Sequence, residues 1–253
     1  MFRQITSLVL VLGTIIAVNA APARKITRKR PQIKTQIDFS SRTKIAEAFF
    51  TAASRSDKDA MWQILSPEVR KLIIKDSGSE AKGKQEYWAG INATLPEDRR
   101  KSIARILAGP ETKKQLLSNY LEQNGHMIVF LDGKWYVDPT RRAPDLSSKE
   151  KVMEGFWQAF IDEDPNAAWQ FAAPGNKTTL SREGTEGAMI RYLKDEIEKN
   201  RENSAMIREG FKDPQKKTLF IRQIVQQFDA QQGFIQVGGK WYIDFIKLGM
   251  TKK

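Results

Sequence analysis

Gly133-Lys134-Trp135-Tyr136-Val137-Asp138 returns almost letter for letter as Gly239-Lys240-Trp241-Tyr242-Ile243-Asp244, 106 residues later. Upstream, an offset of 107 residues lays Val152, Phe156 and Ala159 on Ile45, Phe49 and Ala52. It also lays Trp157 on Phe50, Asp164 on Asp57, Trp169-Gln170 on Trp62-Gln63, and Pro174 on Pro67. An offset that holds over so many positions, rare tryptophans included, marks a module written twice with a net gap of one residue. Residues 44–140 and 148–248 are therefore expected to fold alike.

Within each copy the pattern reads from helix to hairpin. Ile45, Phe49 and Ala52 sit at i, i+4 and i+7, one apolar helical face. Asp57 and Asp164 stand as N-caps of a short second helix, and Pro165 follows at the favoured first helical position. Residues 84–93, 97–108 and 111–123 have helical spacing punctuated by Pro96 and Pro110, as do 185–200 and 214–229. Residues 69–75 fit a helix or a strand equally well. Each copy then closes with two apolar strands joined by Asp132-Gly133 or Gly238-Gly239, pairs that tolerate the positive φ of tight primed turns. A two-residue loop fixes the register: Phe130 opposes Trp135, Val129 opposes Tyr136, Gln236 opposes Trp241 and Ile235 opposes Tyr242. Both faces of these hairpins are largely apolar, so both are expected to be covered.

Composition narrows the chemistry. The 253 residues include no cysteine and one histidine, which excludes disulfides, thiolate or multi-histidine metal sites and a cysteine nucleophile. No phosphate loop, nucleophile elbow or metal-ligand spacing occurs, so no cofactor is expected. Residues 1–20 read as a signal peptide: Arg3, an apolar run from Ile5 to Val18, and small residues before Ala21. That run is shorter than the roughly 17–25 residues of a membrane span. Export without cysteines fits a bacterial periplasm or exterior. Asn92-Ala93-Thr94 and Asn176-Lys177-Thr178 match glycosylation acceptors, which carry no meaning in a bacterium.

The net charge of +12 is unevenly placed. Residues 21–43 carry Arg24, Lys25, Arg28, Lys29, Arg30, Lys34 and Arg42 against Asp38, a net +6. This stretch reads as a basic disordered linker, either a solubilising spacer or an arm for an anionic envelope surface. Specific nucleic-acid recognition is not expected.

Two capped helices carrying Phe49, Phe50, Asp57, Ala60, Trp62 and Pro67, followed by Gly133 to Asp138, resemble nuclear transport factor 2-like domains of the bacterial exported type. Copy two repeats the resemblance with Phe156, Trp157, Asp164, Ala167, Trp169 and Pro174, then Gly239 to Asp244. The resemblance implies a curved, mostly antiparallel sheet around helices and a cone-shaped pocket. The middle of each copy departs from it, reading as helix where the family has strands. The expected fold class is α+β: two tandem homologous helix-rich domains, each ending in a Gly-Lys-Trp-Tyr hairpin, as a reduced form of that fold.

Candidate functional residues follow from recurrence. Trp62, Trp135, Tyr136, Trp169, Trp241 and Tyr242 are candidates to line a pocket for a small apolar ligand, or to pack as core. Asp138 and Asp244 are either paired acids or polar strand stops that bond local amides. Glu47 and Glu154 read as solvated helix surface, and His126 as a surface residue at a strand start. Enzymes resembling this family place a histidine–aspartate pair or a lone aspartate deep in the cone; no residue here takes that role, so no catalytic residue is assigned. The reading is an exported, non-enzymatic binding or interaction protein of the cell envelope, its partner a small apolar ligand or a protein. The alternatives are an isomerase- or dehydratase-type enzyme with a pocket in one domain, and a structural envelope protein tethered by its basic arm.

Overall fold

The computed structural model describes residues 35–250. The chain divides into two compact units, with the boundary between Arg142 and Ala143. The signal-peptide reading of residues 1–20 and the basic residues Arg24, Lys25, Arg28, Lys29, Arg30 and Lys34 lie outside the described residues.

The first unit runs α1 (Arg42–Arg55), α2 (Lys58–Gln63), α3 (Pro67–Ser77), α4 (Glu80–Thr94), α5 (Glu97–Ala108), α6 (Pro110–Asn124), a 3-10 turn (Gly125–Met127), β1 (Ile128–Leu131) and β2 (Lys134–Val137). Local chemistry sets the breaks. The Ser41 side chain caps α1 by accepting the Lys44 N–H, and Ser56 ends that helix in the left-handed region at φ 57. The Asp57 carboxylate accepts the Ala60 N–H at 3.0 Å and opens α2. Ser66 accepts from Val69 N–H with Pro67 at the first helical position, which settles residues 69–75 as helix.

The second unit repeats the plan: α7 (Lys149–Ile161), α8 (Pro165–Gln170), α9 (Pro174–Arg182), α10 (Glu186–Lys199), α11 (Arg201–Phe211), α12 (Pro214–Ala230), β3 (Phe234–Val237) and β4 (Lys240–Ile243). Ser148 and Asp164 stand as caps where Ser41 and Asp57 do, and Glu163 takes the left-handed conformation of Ser56. Both hairpins keep the expected register, with Phe130 opposite Trp135 and Gln236 opposite Trp241.

Each hairpin is locked to the start of its own unit along one edge. Val137 N–H donates to the Ile64 carbonyl at 2.9 Å, and Ser66 N–H donates to the Val137 carbonyl at 3.0 Å. In the second unit Ile243 N–H reaches Phe171 at 2.8 Å, and Ala173 N–H reaches Ile243 at 2.9 Å. Further along that edge, Trp135 N–H donates to the Phe39 carbonyl at 3.0 Å, and Trp241 N–H to the Leu146 carbonyl at 2.9 Å. The folded part thus begins before residue 44: Thr35 N–H donates to Asp57 Oδ2 at 2.7 Å. The expected linker of 21–43 is shortened accordingly.

Other expectations change too. Among the described residues each unit has one two-stranded sheet and one isolated bridge, Leu65 to Val137 or Ala172 to Ile243, in place of a curved multi-stranded sheet. The residues between are helical because capped, punctuated segments fill that span. Met127 and His126 belong to the 3-10 turn, and His126 is half-buried there instead of solvated. Helix α11 was not among the expected helices; it buries only Ser204 and leaves Met206 70% exposed. Glu47 and Glu154 are not free surface groups either, since each pairs with a lysine of its unit's last helix, Lys113 and Lys217.

The two cores solve one packing problem with different volumes. Gly155 occupies the position of Ala48, and Phe171 that of Ile64. A Cβ on Gly155 would collide with the Phe171 ring. The smaller residue in the helix therefore accompanies the larger one opposite. Gly155→Ala is expected to destabilise by about 1–3 kcal/mol through overpacking, although alanine favours the helix. Adding Phe171→Ile, the first unit's combination, should recover part of the loss. A urea double-mutant cycle measures the coupling, and additive effects would contradict it.

Glu154 adds a pH dependence. The hydrogen bond from the Lys217 ammonium, supported by Lys151, holds its carboxyl below the ordinary carboxylate range, against the opposing effect of burial. Its folded pKa is depressed, so its contribution is present above the unfolded value of about 4.3 and fades as pH falls through the lower folded value. Glu154→Gln should flatten the stability–pH curve below about pH 4.5. An unchanged slope in acid denaturation would contradict this.

Candidate functional site

The recurrent tryptophans of the short helices are core. Trp62 and Trp169 are buried, and each indole N–H donates to a glutamate that opens a later helix. Trp62 Nε1 reaches Glu80 Oε1 at 3.1 Å, and Trp169 Nε1 reaches Glu186 Oε1 at 2.8 Å. Sequence reasoning missed these glutamates, although the offset of 106 relates them. They also locate the one-residue gap between the copies, between Pro67 and Glu80, where α9 is shorter than α3.

The hairpin aromatics do not converge on a single pocket. Adjacent strand residues point to opposite faces, so Trp135 and Tyr136 cannot line the same wall, nor can Trp241 and Tyr242. Trp135 is buried against Phe130, ring centroids 5.1 Å apart. Tyr136 is half-buried against Phe39 at 5.2 Å. Trp241 is half-buried beneath the Lys149 ammonium, 4.7 Å from its centroid. Tyr242 is half-buried on the other face.

Arg42 leaves the basic arm altogether. It is buried in the first turn of α1, donates to the Gly125 carbonyl at 3.0 Å, and lies 6.0 Å from the Trp135 centroid. Lys149 holds the equivalent place in the second unit, bonded to Asp229 at 2.6 Å. These cations brace the closing tryptophan in each unit; the charge run suggested an arm because it registers composition and not packing.

The acids also serve structure. Asp138 accepts Thr140 N–H at 3.0 Å and Arg141 Nε at 3.3 Å. Asp244 accepts Asn176 Nδ2 at 3.1 Å and Lys247 N–H at 3.1 Å. Both are strand stops tied to neighbours in their own units, the arrangement set against paired acids above. Asn176 is buried, and its oxygen accepts Phe245 N–H at 2.8 Å, which closes that acceptor pattern to modification. Asp57 is pulled two ways: burial pushes its carboxyl up, but N–H groups of Thr35 and Ala60 outweigh this and hold it low. In the first core the Tyr87 and Tyr120 phenols are pushed up by burial.

One surface remains unexplained by packing. The first hairpin is mostly buried, whereas β3 is exposed along Ile235 to Val237. The expectation that both hairpin faces are covered fails here, where Gln236 stands in place of Phe130. Ile235 is 39% exposed, Val237 42% and Ile246 40%. Ile235 and Val237 share one face, with Tyr242 opposite Ile235. The bond from Trp241 N–H to Leu146 marks Gln236–Trp241 as a pair whose backbone groups point away from each other, so Gln236 presents its N–H and carbonyl outward. Among the described residues no backbone group pairs with that outer edge.

Among the described residues no cluster of three or more metal-ligating side chains occurs, and no helix is long and apolar enough to cross a membrane. Compared with known proteins, the chain matches no family model, no curated protein and no solved structure.

Proposed function

We propose that the chain is a non-enzymatic interaction protein of the cell envelope, and that its second unit engages a protein partner through β3. The observation that carries this is the unpaired outer edge of β3 beside the exposed side chains of Ile235 and Val237. An open edge offers main-chain hydrogen bonds to an added strand, and an apolar row supplies pockets for alternate side chains. The recurrent tryptophans, aspartates and glutamates already have structural partners, which favours binding over catalysis. Export rests on residues 1–20, outside the described residues, and the basic stretch Arg24 to Lys34 would favour an anionic surface nearby. The paired opening helices and closing hairpin support reading each unit as a reduced relative of nuclear transport factor 2-like domains.

The test is a photo-crosslinking residue at Val237, compared with one at Gln226, which is exposed on α12. The expected result is a discrete protein adduct from position 237 that is absent from 226 and lost when Gln236→Pro removes the outward N–H. Identical adducts at both positions, or none at 237, would overturn the proposal.

A further inference from the structure

Four of the six tryptophans recur between the copies and a fifth, Trp157, replaces the aromatic Phe50; Trp88 alone has a charged counterpart, Lys194. It is half-buried on α4 and makes no contribution to the repeated scaffold. Two cations flank it: the Lys58 ammonium lies 5.9 Å from the indole centroid and the Arg100 guanidinium carbon 5.8 Å. Neither cation has a counterpart in the second unit, where Pro165 and Met206 take their places.

Three acids of the same helices are held by lysines. Asp59 pairs with Lys84 at 3.6 Å, Glu80 with Lys84 at 3.1 Å, and Glu97 with Lys101 at 2.7 Å. Arg100 is positioned by the Leu95 carbonyl at 3.0 Å and by Asn92. No ion pair to an acid is formed by Lys58 or Arg100 among the described residues. Glu97 acts on Arg100 only through space and is bonded to Lys101, so two cations beside a half-open indole have room for an added anion.

We infer that Lys58, Trp88 and Arg100 form a binding site for a phosphate-bearing ligand, the anion held by the two cations and the rest of the ligand lying over the indole. Arginine and lysine supply charge-assisted hydrogen bonds to phosphate, and an indole face accepts a ring or an aliphatic edge. The site goes beyond the strand-docking proposal, because it uses different residues in the other unit.

The experiment uses the full chain with two probes: inorganic phosphate, and phosphatidylcholine vesicles containing phosphatidylglycerol. Binding is read as the part of the tryptophan emission change that Trp88→Phe removes. Saturable binding is expected, weakened at least about tenfold in Lys58→Gln, since a hydrogen bond to a charged group is worth about 1.5–3 kcal/mol. Lys58→Arg should restore it. Saturation by inorganic phosphate assigns a soluble phosphate ester, and saturation by vesicles alone assigns a lipid headgroup; both support the site. An emission change that is equal in the wild type, Lys58→Gln and Trp88→Phe would come from elsewhere in the chain and overturn it, as would no change with either probe. Because Lys58 and Trp88 are not core, thermal unfolding of both variants is expected to match the wild type.

Discussion

Trp169→Ala is expected to remove about 3–5 kcal/mol of stability, among the largest effects of any single truncation in this chain. Trp169 is 1% exposed, stacks near Phe245 with centroids 5.9 Å apart, and donates to Glu186. The change creates a cavity and strips a donor from a carboxylate in one step. The duplication supplies an internal control. Glu186 is 4% exposed, whereas the Glu80 side chain is 57% exposed, although each accepts an indole N–H. Glu186→Ala should therefore cost more than Glu80→Ala, whose lost bond water can replace. Urea unfolding followed by circular dichroism measures both. Equal losses would mean that burial does not govern the indole–carboxylate bond, and a Trp169→Ala loss under about 1 kcal/mol would remove Trp169 from the core.

Trp135→Ala should cost a similar 3–5 kcal/mol, and Trp241→Ala distinctly less. The two residues occupy the same place in the same motif. Trp135 is buried with Phe130 across the strand, while Trp241 is half-buried with Gln236 opposite. A truncated side chain that was already wet leaves a smaller cavity and less lost transfer energy. Comparable losses would show that the apparent openness of the second hairpin does not persist in solution, and the docking surface on β3 would lose its basis.

The contrast explains what was legible in the residues alone. Turn pairs, caps and register are local: Asp132-Gly133 sets the pairing of Phe130 with Trp135 whatever surrounds it, and Asp57 caps α2 with its own carboxylate. Burial is not local. The same six-residue motif reads as equally apolar in both copies, yet one hairpin is covered and the other open. Arg42 was assigned to the arm because it follows a run of charges, while its packing depends on Gly125, far along the chain. Helix α11 is the converse case: its apolar residues do recur with helical spacing, yet the helix buries almost nothing. The Trp–Glu bonds were in reach, since the offset relates Glu80 to Glu186, but nothing in spacing says that an indole will meet them. The site at Trp88 was invisible for the opposite reason: recurrence draws the eye to what the copies share, and this cluster lies in what they do not.

The hydrogen bond between Trp135 and Phe39, mirrored between Trp241 and Leu146, places the first and last segments of each unit side by side. A polypeptide whose beginning and end meet is, in effect, a closed ring with a nick. Such a ring can be duplicated head to tail without threading, because the next copy starts where the last one stops: the first unit ends at Arg142 and the second begins at Ala143. It can also be nicked elsewhere, with the old ends fused, and still trace the same path. The bond that fastens the closing strand thus also suits each unit to repetition in tandem.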